Sequence, residues 1–186
     1  MLRIAQLEQI EQLLLESVTL IEAQRADQVA FPDLTESWIR RLEVVLCNNR
    51  MSTSGQLAGL RGLLLSAGHG TNSMGISMSG KVTRRKIRRA VAADVINKAV
   101  NVVASTIHSD RARINEASSI ALRLVSQAHH EQLVDTATGD FEYAKYLYKT
   151  MSDHQSMSEG ISVLDGLVGR VDSIISIDRA LTFLQS

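Results

Sequence analysis

Apolar residues recur at three- and four-residue steps along most of this chain, and stacked α-helices are the economical way to hide such stripes. Ile4, Leu7, Ile10, Leu14 and Ile21, with Val18 beside them, trace the first stripe. Leu13 and Leu15 widen it, while Glu8, Glu11, Glu16 and Glu22 take the other faces. The spacing predicts a long amphipathic N-terminal helix over residues 2–30, ended by Phe31-Pro32-Asp33, since the residue before a proline is pushed out of helical dihedrals. A stripe this long needs cover, from the rest of the chain or from a second copy. Leu7, Ile10, Leu14 and Ile21 are therefore the expected self-association residues.

Composition supports the same class. Pro32 is the single proline and aromatics make up 4% of the 186 residues, so turn-rich sandwiches and barrels are disfavoured. A second helix is expected from Thr35 to Asn48, burying Trp38, Ile39, Leu42, Val45 and Leu46, with Cys47 on its inward side. A third, capped by Ser52 or Thr53, carries Leu57, Leu60, Leu63 and Leu64. Gly55, Gly59 and Gly62 there predict a tight crossing with a neighbour. Ser66 to Gly80 holds four glycines and four serines without periodicity and reads as a flexible loop.

Beyond it, a helix starting at the basic run continues through Val91, Val95, Ile96, Ala99, Val103 and Ile107. His108-Ser109-Asp110 marks a turn or kink before another helix with Ile114, Ile120, Leu124 and Val125. Thr138-Gly139-Asp140 is a clearer break, followed by a helix from Phe141 to Met151. One or two docking helices complete the tail, the last starting near Ser176. The expected architecture is an all-α bundle of about six to eight helices. It reads as one helical domain over residues 1–186, with 1–65 and 81–186 as sub-units if loop 66–80 divides it.

Net charge is zero, yet the charges are segregated: −3 over residues 1–30, +1 over 31–80, +7 over 81–113 and −5 over 114–186. The basic band centres on Lys81, Arg84, Arg85, Lys86, Arg88 and Arg89, six bases within nine residues. On a helix these side chains can lie along phosphates or an acidic protein surface. No aromatic interleaves the run, so base stacking is not indicated.

Catalytic spacings are scarce. His129 and His130 are adjacent and point about 100° apart on a helix, which does not chelate one ion; no H-E-x-x-H occurs. Gly75 to Lys81 matches G-x4-G-K but lacks the following Ser or Thr and the preceding strand of a phosphate-binding loop. A single cysteine excludes an internal disulfide. Arg123 followed by His129 resembles the R-x(4–6)-H signature of HEPN-type helical ribonucleases, although Leu124 stands where that family usually places a polar residue. The resemblance implies RNA cleavage by an arginine and a histidine at a dimer interface.

No run of about 18 apolar residues suggests a membrane span, and residues 1–12 lack a signal peptide's apolar stretch. A cytoplasmic location is expected, and export without a cleaved signal fits the same composition. No cofactor or metal is expected. The leading expectation is a non-enzymatic assembly or adaptor protein acting through protein–protein contacts and self-association. A nucleic-acid-binding protein using 81–89 and a HEPN-like ribonuclease are the alternatives.

Overall fold

The computed structural model describes residues 1–69, 83–134 and 141–185, and these form an all-α protein. Seven helices occur among the described residues: α1 (Ile4–Arg25), α2 (Phe31–Asn48), α3 (Thr53–Gly68), α4 (Arg84–His130), α5 (Phe141–Asp153), α6 (Ser158–Val168) and α7 (Arg170–Gln185). Their packing defines two compact units, Ile4–His108 and Ser109–Ser186, so the division falls inside α4. Of the expected loop 66–80, residues 66–68 are still helical, and the remainder from residue 70 lies outside the described residues. The Thr138–Asp140 break also lies outside them.

The first unit is built round α2. Pro32 does not end a helix here; it sits in the first turn of α2, where no intrahelical donor is required of it. Thr35 correspondingly lies inside the helix, buried, its hydroxyl donating to the Phe31 carbonyl at 2.9 Å. Phe31, Trp38, Ile39, Leu42 and Leu46 form the buried side of α2. Ile4, Leu7, Ile10 and Leu13 of α1, Leu57 and Leu64 of α3, and Val91, Val95, Ala99, Val103 and Ile107 of α4 are buried in the same unit, in which α2 packs on both α1 and α3. Trp38 is fully buried, and its indole N–H donates to the Leu13 carbonyl at 2.6 Å, so its polar edge is satisfied. Cys47, expected to face inward, is exposed: it falls outside the stripe traced by Ile39, Leu42 and Leu46.

In the second unit, Ala117, Ala121, Leu124, Val125 and Ala128 of α4 pack with Leu147 and Met151 of α5, Ile161 and Leu164 of α6, and Ile177 and Leu181 of α7. The close approach lies at Gly160 of α6, where an added Cβ would meet Leu124 Cδ2 at 2.7 Å. Gly55, Gly59 and Gly62 face open space, so the tight crossing expected at α3 is absent. The last two helices part at Gly169, whose φ of +81° suits glycine, rather than near Ser176.

No turn falls at His108-Ser109-Asp110: these residues lie inside α4, which is helical over all its 47 residues. Asp110 pairs with Arg113 at 2.9 Å, and Arg113 also donates to the Leu167 carbonyl at 2.7 Å, occupying one orphan acceptor at the end of α6. An 18-residue window of α4 reaches a mean hydropathy of 1.3, long and apolar enough to cross a membrane by length and composition. In this fold its apolar side, Val91 through Ile107, belongs to a protein core.

Three helix exits use left-handed backbone without glycine. Asp27, Arg50 and Gln132 have φ of 52°, 56° and 60°. In each case the next residue's N–H returns to a carbonyl five residues back: Gln28 to Ala23 at 3.0 Å, Met51 to Leu46 at 2.9 Å, and Leu133 to Ala128 at 2.9 Å. These are Schellman closures that satisfy the last carbonyls of α1, α2 and α4.

Candidate functional site

An apolar concavity lies along α1 and α2. Gln9, Gln12 and Leu13 from α1 and Ser37, Arg40, Arg41, Val44 and Val45 from α2 enclose about 460 Å³. A neighbouring concavity of about 430 Å³ shares Ser37 and Arg41 and extends along Glu16, Leu20, Glu22, Ala23 and Leu34. Together they form a groove between two antiparallel helices, the geometry that takes the apolar face of a third. Val44 is 51% exposed and Leu34 43% exposed on its α2 side.

The rims of this groove carry opposite charge. On the α1 side stand Glu16 and Glu22, and on the α2 side Arg40 and Arg41. Arg41 bridges to Glu16 across the groove, its Nη1 donating to Oε1 at 3.0 Å. The acids of α2 are engaged elsewhere: Glu43 accepts from Arg61 Nε at 2.8 Å, and Asp33 and Glu36 pair with Arg88. The groove side of α2 is thereby left basic.

The expected self-association residues divide. Leu7 and Ile10 are buried by the chain's own helices, and Leu14 and Ile21 are half-buried. The exposed apolar residues of α1 are instead Leu15 and Val18, at 64% and 54% exposure.

Much of the basic run is spent inside the protein. Arg89 donates to the Gln28 carbonyl at 2.8 Å and the Gln24 carbonyl at 3.0 Å, pairs with Asp27 at 2.9 Å and lies over the Phe31 ring. Arg88 meets Asp33 at 2.5 Å, Arg84 Nε donates to the Gly68 carbonyl, and Arg85 approaches Asp27 at 3.7 Å. Lys86 is exposed, and Lys81 lies outside the described residues. The arginines thus tie the start of α4 to the α1–α2 corner, a use that the run of bases alone did not distinguish from a free basic face.

Arg123 and His129 are both exposed on α4. Six residues apart on one helix, they point about 120° away from each other, so they do not converge within one chain. Arg123 instead lines a concavity of about 400 Å³ with Gln127, Ser156, Glu159 and Gly160.

Beside it, a polar cluster escaped the sequence reading because its members are 25 residues apart. Ser156 Oγ lies 3.0 Å from Glu131 Oε1 and 3.0 Å from His154 Nδ1, and His154 Nε2 lies 3.4 Å from Glu131 Oε2. Gln127 Nε2 donates to both Glu131 (2.9 Å) and Ser156 (3.1 Å). The residue types resemble a nucleophile–base–acid set, but the wiring differs. Ser156 donates its one proton to the carboxylate, so His154 is not its acceptor. The cluster ties the end of α4 to the α5–α6 turn. Hydrogen bonds from Gln127 and then Ser156, with His154 and His130 nearby, hold the Glu131 carboxyl below its ordinary range against some desolvation.

Among the described residues no three His, Cys, Asp or Glu side chains are placed to hold a metal ion. Comparison with known proteins finds no matching family model, no matching curated relative and no matching solved structure.

Proposed function

We propose that this protein is a non-enzymatic helical assembly protein that pairs with a second copy of itself through the α1–α2 groove. The observation that carries this reading is the groove's opposite rims, acidic Glu16 and Glu22 on α1 and basic Arg40 and Arg41 on α2; Glu16 and Arg41 pair within the chain, so Glu22 and Arg40 are the charges that meet a second copy without breaking a bridge. A two-fold axis parallel to the helices would lay α1 of each copy on α2 of the other, setting acid against base twice. Size is compatible. A face two helices wide and some five turns long offers roughly 500 Å² per copy, or about 1,000 Å² in total, the lower bound for a specific interface. Adaptor contacts to other proteins would use the same face.

Light scattering behind a sizing column tests it. The expected mass is twice 20.4 kDa at low salt, falling toward the monomer as salt screens the rims. Val44→Asp, which places a charge in the groove at an already exposed position, should give a monomer with unchanged helicity. Pairing of Arg40→Glu/Arg41→Glu chains with Glu16→Arg/Glu22→Arg chains, when neither pairs alone, would identify the second copy as the occupant. A wild-type monomer at every concentration and salt would overturn self-association. Photo-crosslinking from Ser37 to a different polypeptide, absent from Asn97 on the exposed side of α4, would then support a hetero-adaptor.

A further inference from the structure

The start of α4 and the α1–α2 corner form a further concavity, of about 340 Å³, walled by Val29, Pro32 and Gly68 and lined by Arg84, Arg85, Arg88 and Arg89 with Asp33. We infer that this concavity is a binding site for a compact oxyanion, a phosphate group carried free or on a small molecule. The inference is independent of the groove.

Charge comes first. Four arginines line the concavity, and among the described residues the carboxylates that reach them are Asp27, Asp33 and Glu36, which leaves an excess of one positive charge. That excess sits on the first turns of α4, where the helix dipole disfavours cations and attracts anions. An anion seated there relieves both the mutual repulsion of the arginines and their opposition to the dipole.

Donor geometry comes second. Arg89 is committed to Asp27 and two carbonyls, and Arg88 to Asp33 and Glu36. Arg84 uses only Nε, on the Gly68 carbonyl, and the sole carboxylate near Arg85 is Asp27, at 3.7 Å. Among the described residues the terminal N–H groups of Arg84 and most of those of Arg85 meet no protein acceptor, and two such forks suit bidentate contact with an oxyanion. Arg88 Nε, which has no partner among the described residues, is a further donor if its side chain turns from Gly68. A concavity of about 340 Å³ has room for phosphate or pyrophosphate, whereas a nucleic-acid backbone needs a continuous row of cations; the neighbouring acids Asp27, Asp33 and Glu36 interrupt any such row.

Calorimetric titration of the full chain with inorganic phosphate, pyrophosphate and a short DNA duplex, at low salt, tests the site. Saturable one-to-one binding of phosphate or pyrophosphate is expected. Arg84→Gln/Arg85→Gln should weaken it by about ten-fold or more. Arg84→Lys/Arg85→Lys keeps the charge but removes the forks, and a loss nearly as large marks a built site. Lys145→Gln/Lys149→Gln, at exposed positions of α5, should leave it unchanged. Melting curves of each variant confirm that the fold stands. Absence of saturable phosphate or pyrophosphate binding by the wild-type chain would overturn the proposal. So would full affinity in the lysine variant, or duplex binding that pyrophosphate does not displace, which would make the run a diffuse polyanion surface.

Discussion

Tyr148 and Asp165 show how much one residue pair can hold. The Tyr148 hydroxyl donates to Asp165 Oδ2 at 2.6 Å, while Asp165 Oδ1 is buried without a partner among the described residues. Arg170 lies over the Tyr148 ring, 5.4 Å from its centroid. Tyr148→Phe would remove the carboxylate's one strong donor, and a loss of about 1–3 kcal/mol in denaturant unfolding is expected. Burial, then the Asp165 carboxylate, pushes the Tyr148 pKa above its ordinary value. A folded pKa raised above the unfolded one contributes stability below about pH 10 that drains away as pH climbs through the folded value. Absorbance titration should find one tyrosine ionising later than the others, and not in Tyr148→Phe. Glu131 behaves in the opposite sense. Its depressed pKa contributes stability above the ordinary carboxylate range that is lost as pH falls through the folded value. Glu131→Gln should therefore flatten the acid limb of the stability curve below about pH 4; an unchanged limb would detach Glu131 from it.

The helices reward a closer look at where they stop. Gln132 holds φ of 60° at the exit of α4, a conformation that costs an L-residue about 1 kcal/mol and glycine almost nothing. Gln132→Gly should raise the melting temperature, Gly59→Ala on the open side of α3 should do the same, and Gly160→Ala should lower it by displacing Leu124. These exits also explain what sequence could and could not disclose. The apolar spacing made the helical class plain, and Asn48-Asn49-Arg50 marked a real stop because polar residues tolerate the closing turn. Pro32 misled: the same fixed φ that ends one helix begins another, and only the packing of Phe31 and Trp38 decides which. His108-Ser109-Asp110 misled as a turn, since three consecutive polar residues look like a loop until the helix is seen to continue through them between buried Ile107 and Ile114. Of the candidate surfaces, the arginines were visible but their partners were not. Asp27, Asp33 and Gly68 lie 16 to 62 residues away along the chain, and no local pattern encodes such pairings. The groove stayed hidden for the same reason, because it is defined by what α3 leaves uncovered on α2.

At the scale of the whole molecule, each compact unit has its own buried set. Leu42→Ala and Leu147→Ala remove comparable, fully buried side chains, and each should cost about 2–5 kcal/mol. Hydrogen exchange should separate them: the first should speed exchange chiefly in α1–α3, the second chiefly in α5–α7. Equal acceleration everywhere would mean that the chain opens as one cooperative body. Cys47 adds a consequence of a different kind. It is the chain's single cysteine and it stands exposed on α2. Under oxidation one chain can be joined covalently to one other, and the product has no thiol left to extend. Chemical cross-linking by this route is self-limiting at two chains, and the same thiol takes one reporter dye per molecule with no competing position.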